Sequence, residues 1–127
     1  MQKILLVEDD KNARDLYQEI LKSAGFEIET AIDGEDGLSK IKTGGYSLIL
    51  LDVMLPKMDG LAVLAALKKE PPKTGNGPIV LLSNLAHDPV IKEALSLGAK
   101  DHITKSDVNP EQLIQKVKNL LVPQPAR

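Results

Sequence analysis

Five short apolar runs recur along the chain: Ile4–Val7, Phe26–Ala31, Ser47–Leu51, Ile79–Leu82 and His102–Thr104. The first, third and fourth are nearly continuous in Ile, Leu and Val, the pattern of strands covered on both faces. The second alternates, with Phe26, Ile28 and Thr30 against Glu27 and Glu29, which marks an edge strand. Helix-period segments separate the runs. Ala13, Leu16, Tyr17, Ile20, Leu21 and Ala24 follow the 3–4 spacing, and Gly25 ends that helix. Leu38 and Ile41 mark a short second helix stopped by Gly44 and Gly45, and Leu61, Leu64, Ala65 and Leu67 a third. Val90, Ile91, Ala94, Leu95 and Leu97 make a fourth, opened by Asp88-Pro89 and closed by Gly98. Leu113, Ile114, Val117, Leu120 and Leu121 make a fifth, opened by Asn109-Pro110 in the same way.

Strand and helix thus alternate five times, a (βα)5 pattern that predicts an α/β fold with a doubly wound, parallel, five-stranded sheet. Right-handed crossovers leave few strand orders, and the flavodoxin-like order 2-1-3-4-5 leads among them. The length of 127 residues suits one domain, against roughly 100–200 residues per domain. Residues 1–122 are assigned to it, and 123–127, with Pro123 and Pro125, to a frayed tail or the start of a linker. Hydrophobic residues at 43% and charged residues at 27% argue against disorder. With aromatics at 2%, the core must be aliphatic, and base-stacking platforms are excluded. A net charge of -2 lacks the basic footprint of a nucleic-acid-binding domain. The absence of Cys removes disulfides, thiolate metal sites and a cysteine nucleophile. No apolar run is long enough to cross a bilayer, and Ile4–Val7 leads into acids rather than a cleavage site, so no membrane association is expected and a cytoplasmic location is.

In such a sheet, ligands bind beyond the carboxyl ends of the strands, where the strand order reverses. Strand one delivers Glu8, Asp9 and Asp10 to that rim, strand three Asp52, strand four Ser83 and Asn84, and strand five Thr104 and Lys105. Crowded carboxylates need a cation to stay ionised together. A hard divalent ion held by oxygen, Mg2+ above all, meets that need. Asp52 can then attack phosphorus as a carboxylate nucleophile and form an acyl phosphate. The Lys105 ammonium and the Ser83 hydroxyl would clamp the phosphoryl oxygens, since phosphoryl transfer needs mainly positioning and charge stabilisation.

These residues resemble the response-regulator receiver domains of two-component signalling, and the size is similar to that of single-domain chemotaxis regulators. The likeness runs from Lys3 to about Leu121. It is carried by Ile4–Asp10, Leu50-Leu51-Asp52-Val53-Met54-Leu55-Pro56-Lys57-Met58-Asp59-Gly60, Val80–Asn84 and Gly98–Lys105. The resemblance implies that Asp52 accepts the phosphoryl group from a phosphohistidine on a sensor histidine kinase or phosphotransfer protein. It implies that Asp9 and Asp52 bind Mg2+ directly with the main-chain carbonyl of Met54, and Glu8 through a metal-bound water. Lys105 would pair with Asp52, and Ser83 would swing inward on phosphorylation. His102 stands where the family has an aromatic switch residue. The face of helix four, strand five and helix five would then change for an output partner that the sequence does not name.

Three positions depart from the family. Asn84 replaces a small residue, which narrows access to Asp52, and His102 replaces Tyr or Phe. Ser106 follows Lys105 where the family has Pro, often joined by a cis bond. A cis bond before a non-proline residue costs about 2.5–4 kcal/mol, so a trans bond and a reshaped loop are expected. Competing readings are weaker. A dehalogenase-type phosphatase needs an acid two residues after the nucleophile, where Met54 stands, so an enzyme with a turnover substrate is not expected. A flavodoxin-like cofactor binder needs a phosphate loop where Glu8, Asp9 and Asp10 would repel phosphate. The complete set of acids, Ser83 and Lys105 also argues against a degenerate scaffold. Among blander assignments, Asn12 reads as a helix cap, and His102 as a sheet-edge side chain on the fifth helix.

Overall fold

A computed structural model describes residues 2–72, 75–84 and 88–121. The proposed tail at 123–127 lies outside them. The elements run β1 (Lys3–Val7), α1 (Lys11–Ser23), β2 (Glu27–Ala31), α2 (Gly34–Thr43), β3 (Leu48–Leu51), α3 (Gly60–Lys69), β4 (Ile79–Ser83), α4 (Asp88–Ser96), β5 (Asp101–Thr104) and α5 (Pro110–Leu121). A 3-10 turn at Lys105–Asp107 joins β5 to α5. The sheet is parallel throughout, in the order β2-β1-β3-β4-β5.

Alternation along each strand splits the apolar residues into two layers. Leu5, Val7, Ile49, Leu51 and Leu81 face Ile41, Val63, Leu64 and Ala94 of α2, α3 and α4. Ile4, Leu6, Leu50, Leu82 and Ile103 face Leu21, Leu113 and Val117 of α1 and α5. A central strand must satisfy both layers, which is why Leu48–Leu51 is apolar at every position and fully buried.

Local chemistry sets the helix starts. The Asp10 carboxylate accepts from the Ala13 N–H at 3.2 Å, and Asp33 from the Asp36 N–H at 2.8 Å. Asn12 is therefore not the cap of α1. It is the second helical residue, because Asp10 already occupies the extended position before the helix. At α5, Asn109 Oδ1 accepts from the Gln112 N–H at 2.8 Å, while Gln112 Oε1 accepts from the Asn109 N–H at 2.9 Å. This reciprocal box satisfies two donors at once. Asn109→Ala should cost about 1 kcal/mol, read as a lowered urea midpoint. Gly25 ends α1 at φ 96°, a backbone region that side chains rarely adopt.

No cis peptide bond occurs among the described residues, so the Lys105–Ser106 bond is trans as expected, and the chain turns there through the 3-10 segment.

Candidate functional site

The ladder continues past the strand ends and fixes the rim. Glu8 N–H donates to Ala31 O at 3.0 Å and Asp52 N–H to Val7 O at 3.2 Å. Glu8, Asp9 and Asp52 each offer a carboxylate oxygen, all within 4.8 Å of one another. Glu8 and Asp52 are only 2% and 7% exposed, whereas Asp9 faces water. Lys105 reaches in from the far side: its Nζ donates to Glu8 Oε1, and to Asp52 Oδ2 at 3.1 Å. Asp52, Met54, Ser83, Asn84 and Lys105 line a cavity of about 350 Å³. A groove of about 400 Å³ lined by Leu64, Leu67, Lys68 and Ser96 among others holds no carboxylate, so the chemistry belongs to the smaller space.

The electrostatics follow from burial. Desolvation raises the Glu8 carboxyl above its ordinary value against the opposing pull of Lys105. Burial pulls the Lys105 ammonium down, but the Glu8 hydrogen bond and the Asp52 and Glu8 charges outweigh it, and the balance lies above the ordinary lysine value. One ammonium thus serves two buried carboxylates, while the Asp9 carboxylate faces solvent beside them. Three hard oxygen donors this close, one facing water, fit a hydrated divalent ion such as Mg2+.

The sequence did not single out the residues that brace the rim. Arg14 Nη1 donates to the carbonyls of Glu8 at 2.9 Å and Asp9 at 3.2 Å, tying the β1–α1 turn to the first turns of α1. A basic residue five and six positions after an acidic pair was the available signal. The Lys105 Nζ also stands 5.9 Å from the centre of the Tyr17 ring, within cation–π range.

The loop after β3 is held from beneath. Met54 N–H donates to Asp52 Oδ1 at 3.2 Å, while its side chain is 68% exposed. Lys57 sits at φ 66° with its Nζ 3.5 Å from Asp33 Oδ2. The Asp36 N–H above all, with the Lys57 charge, holds the Asp33 carboxyl below its usual range. A Cβ on Gly34 would lie 1.6 Å from Met58 O, so the loop rests on the first residue of α2. Gly34→Ala should displace it and destabilise the fold by about 3 kcal/mol, with a matching fall in the denaturation midpoint.

Ser83 is 2% exposed at the end of β4, with its Oγ 3.4 Å from His102 Nε2. His102 therefore does not pack on α5. Ile103 takes that face of β5, and the period of two sends His102 to the other side, with Ser83. Asn84 is exposed on the cavity wall.

Fold and rim together define a signalling domain of the receiver type. Residues 4–118 match the model of the response regulator receiver domain, and the chain belongs to that family. Such domains are signalling switches of two-component systems. The chain is 41% identical over 103 residues to the transcriptional regulatory protein DltR of Streptococcus agalactiae, covering 81% of this chain and 45% of that protein. It is 34% identical to the chemotaxis protein CheY of Treponema pallidum, covering 94% and 82%. The response regulator TrrA of Thermotoga maritima, solved in complex with Mg(2+)-BeF, superposes with a TM-score of 0.80 at 36% identity, covering 95% of this chain and all of that one. The chain spans about half the length of DltR and of the CpxR homologue of Haemophilus influenzae. Among the described residues, no helix is long and apolar enough to cross a membrane.

Proposed function

We propose that residues 1–122 form a phosphoacceptor domain in which Asp52 takes a phosphoryl group from a phosphohistidine of a sensor histidine kinase or phosphotransfer protein. An Asp52 carboxylate oxygen attacks phosphorus, the phosphorus–nitrogen bond breaks, and the donor imidazole leaves. Asp9, Asp52 and the Met54 carbonyl would hold Mg2+, with Glu8 at one remove through a water. When bound, the ion neutralises charge on the carboxylates and the incoming phosphoryl oxygens. Lys105 pairs with Asp52 and aims it, and Ser83 donates to a phosphoryl oxygen. The observation that supports this most is the approach of three carboxylate oxygens within 4.8 Å beside a lysine bonded to Asp52.

The outcome is a population shift rather than turnover. Met54 offers no acid for a hydrolytic cycle, and Ser83 connects the cavity to the face of α4, β5 and α5, where a partner docks. Neither nucleic acid nor a membrane is assigned to this domain, and a cytoplasmic location accords with the likeness to transcriptional and chemotaxis regulators. Incubation with acetyl phosphate and Mg2+ should add one phosphoryl mass, and EDTA should prevent it. An unmodified chain in the presence of Mg2+ would favour a scaffold.

A further inference from the structure

Among the described residues, Lys57 is the one non-glycine residue held at positive φ, at 66°. Met58 N–H donates to Pro56 O at 2.7 Å across it, so Pro56, Lys57 and Met58 close a tight turn of the strained, positive-φ kind. Such a turn persists only where its surroundings hold it. Two contacts with the start of α2 do so here. Gly34 N–H donates to Pro56 O at 3.4 Å, and Met58 O rests where a Cβ on Gly34 would lie. The Lys57 Nζ stands 3.5 Å from Asp33 Oδ2, while Asp33 Oδ1 accepts from the Asp36 N–H at 2.8 Å. The Asp33 side chain is only 9% exposed, so the lysine is tied to an anchored carboxylate. The other end of the same loop enters the rim, where Met54 N–H donates to Asp52 Oδ1 and Gly60 N–H closes the loop onto Val53 O at 2.8 Å.

We propose that Lys57 and Asp33 are positioning residues for the divalent ion: their ion pair holds the loop after β3, and with it the Met54 carbonyl, in place for the ion. The inference rests on the reading above that this carbonyl is a ligand. Met54 lies three residues before Lys57, and Pro56 between them has its φ fixed by its ring, so the segment has little freedom to absorb a slip of the turn. The exposed Met54 side chain gives it little anchorage of its own. Mg2+ demands near-ideal octahedral geometry, so a small displacement of one ligand lowers its affinity. The coupling is reciprocal: an ion that fixes the carbonyl strengthens the ion pair by the same factor.

The test is Mg2+ titration of the unphosphorylated chain by calorimetry. Lys57→Met keeps the stem and loses the charge, and should weaken binding about three- to fivefold, the upper part of the range for partly exposed pairs. Asp33→Asn keeps the cap of α2, because Asn caps as well as Asp, and should weaken binding equally. The lost charges act oppositely through space: losing a cation favours Mg2+, and losing an anion disfavours it. A shared fall therefore reports position. The double variant should match either single one, since each removes the same pair, and Lys57→Arg should restore the wild-type affinity. Tighter binding by Lys57→Met beside weaker binding by Asp33→Asn would reduce the pair to a field effect, and unchanged binding would reduce it to a surface contact. Either result overturns the proposal, as does a double variant in which the two losses multiply. A second readout is the coupling between the two substitutions in urea unfolding, which should be larger in Mg2+ than in EDTA; equal coupling refutes the link to the ion. A wild-type chain that binds no Mg2+ would overturn the metal reading and the proposal with it. One that binds Mg2+ while every variant binds it alike would overturn the positioning alone.

Discussion

Asp52→Asn should abolish phosphoryl gain from acetyl phosphate while leaving a folded chain. The carboxamide lacks the anionic oxygen that attacks phosphorus, and neither other carboxylate of the cluster lines the cavity. Asp9 is exposed and carries no lysine, and Glu8 is committed to Lys105 and to the Asp10 N–H. Asp52 shares burial, a lysine and a backbone N–H with Glu8, but of the two only Asp52 lines the cavity beside Ser83 and Asn84. The fold should survive because Lys105 keeps Glu8 as its counter-ion. Losing one anionic ligand should also weaken Mg2+ binding, measurable by titration of the unphosphorylated chain. Gain of a phosphoryl mass by the variant would move the acceptor to another side chain and defeat the assignment.

Much of this arrangement was legible in the sequence because it depends on backbone position. The apolar runs fix the strands, and strand ends in a parallel sheet share one rim, so Glu8, Asp9, Asp52, Ser83 and Lys105 had to come near one another. Side-chain direction was less legible. Nothing in the pattern says that Lys105 divides itself between Glu8 and Asp52, because that choice depends on how far β5 slides along β4. The same register puts His102 beside Ser83 instead of α5. Local competition hid the cap of α1: Asp10 and Asn12 are equally good capping types, and only the backbone entering the helix selects Asp10. The pairing of Asp33 with Lys57 joins two loops 24 positions apart, beyond any helix or strand period.

Lys105→Met tests how far the rim depends on a single positive charge. Methionine matches the length and packing of the lysine stem but leaves Glu8 and Asp52 buried side by side without their shared ammonium. Removing one partner of a buried ion pair costs about 3–5 kcal/mol, and the lower end applies here because the Lys105 and Asp52 side chains keep 12% and 9% exposure. The loss should depend on pH. Glu8 is already raised above its ordinary value of about 4.5, so its contribution is fully present below that value and is lost as pH rises through the folded value. Without Lys105 to oppose desolvation the rise grows, and the variant weakens further toward neutrality. Lys105 is itself raised above about 10.5 in the wild type, so its stabilisation persists to that pH and fades above it. The gap between the two proteins should therefore be small below about pH 4.5, widen to about 3 kcal/mol near neutrality, and close again at strongly alkaline pH. Urea unfolding in EDTA at several pH values measures it. Mg2+ should restore stability to the variant more than to the wild type, since an ion that binds only the folded chain shifts the equilibrium by mass action and here also replaces the missing charge. A gap that stayed flat with pH, or that Mg2+ left unchanged, would mean that Lys105 only fills space between the strands and does not neutralise the pair.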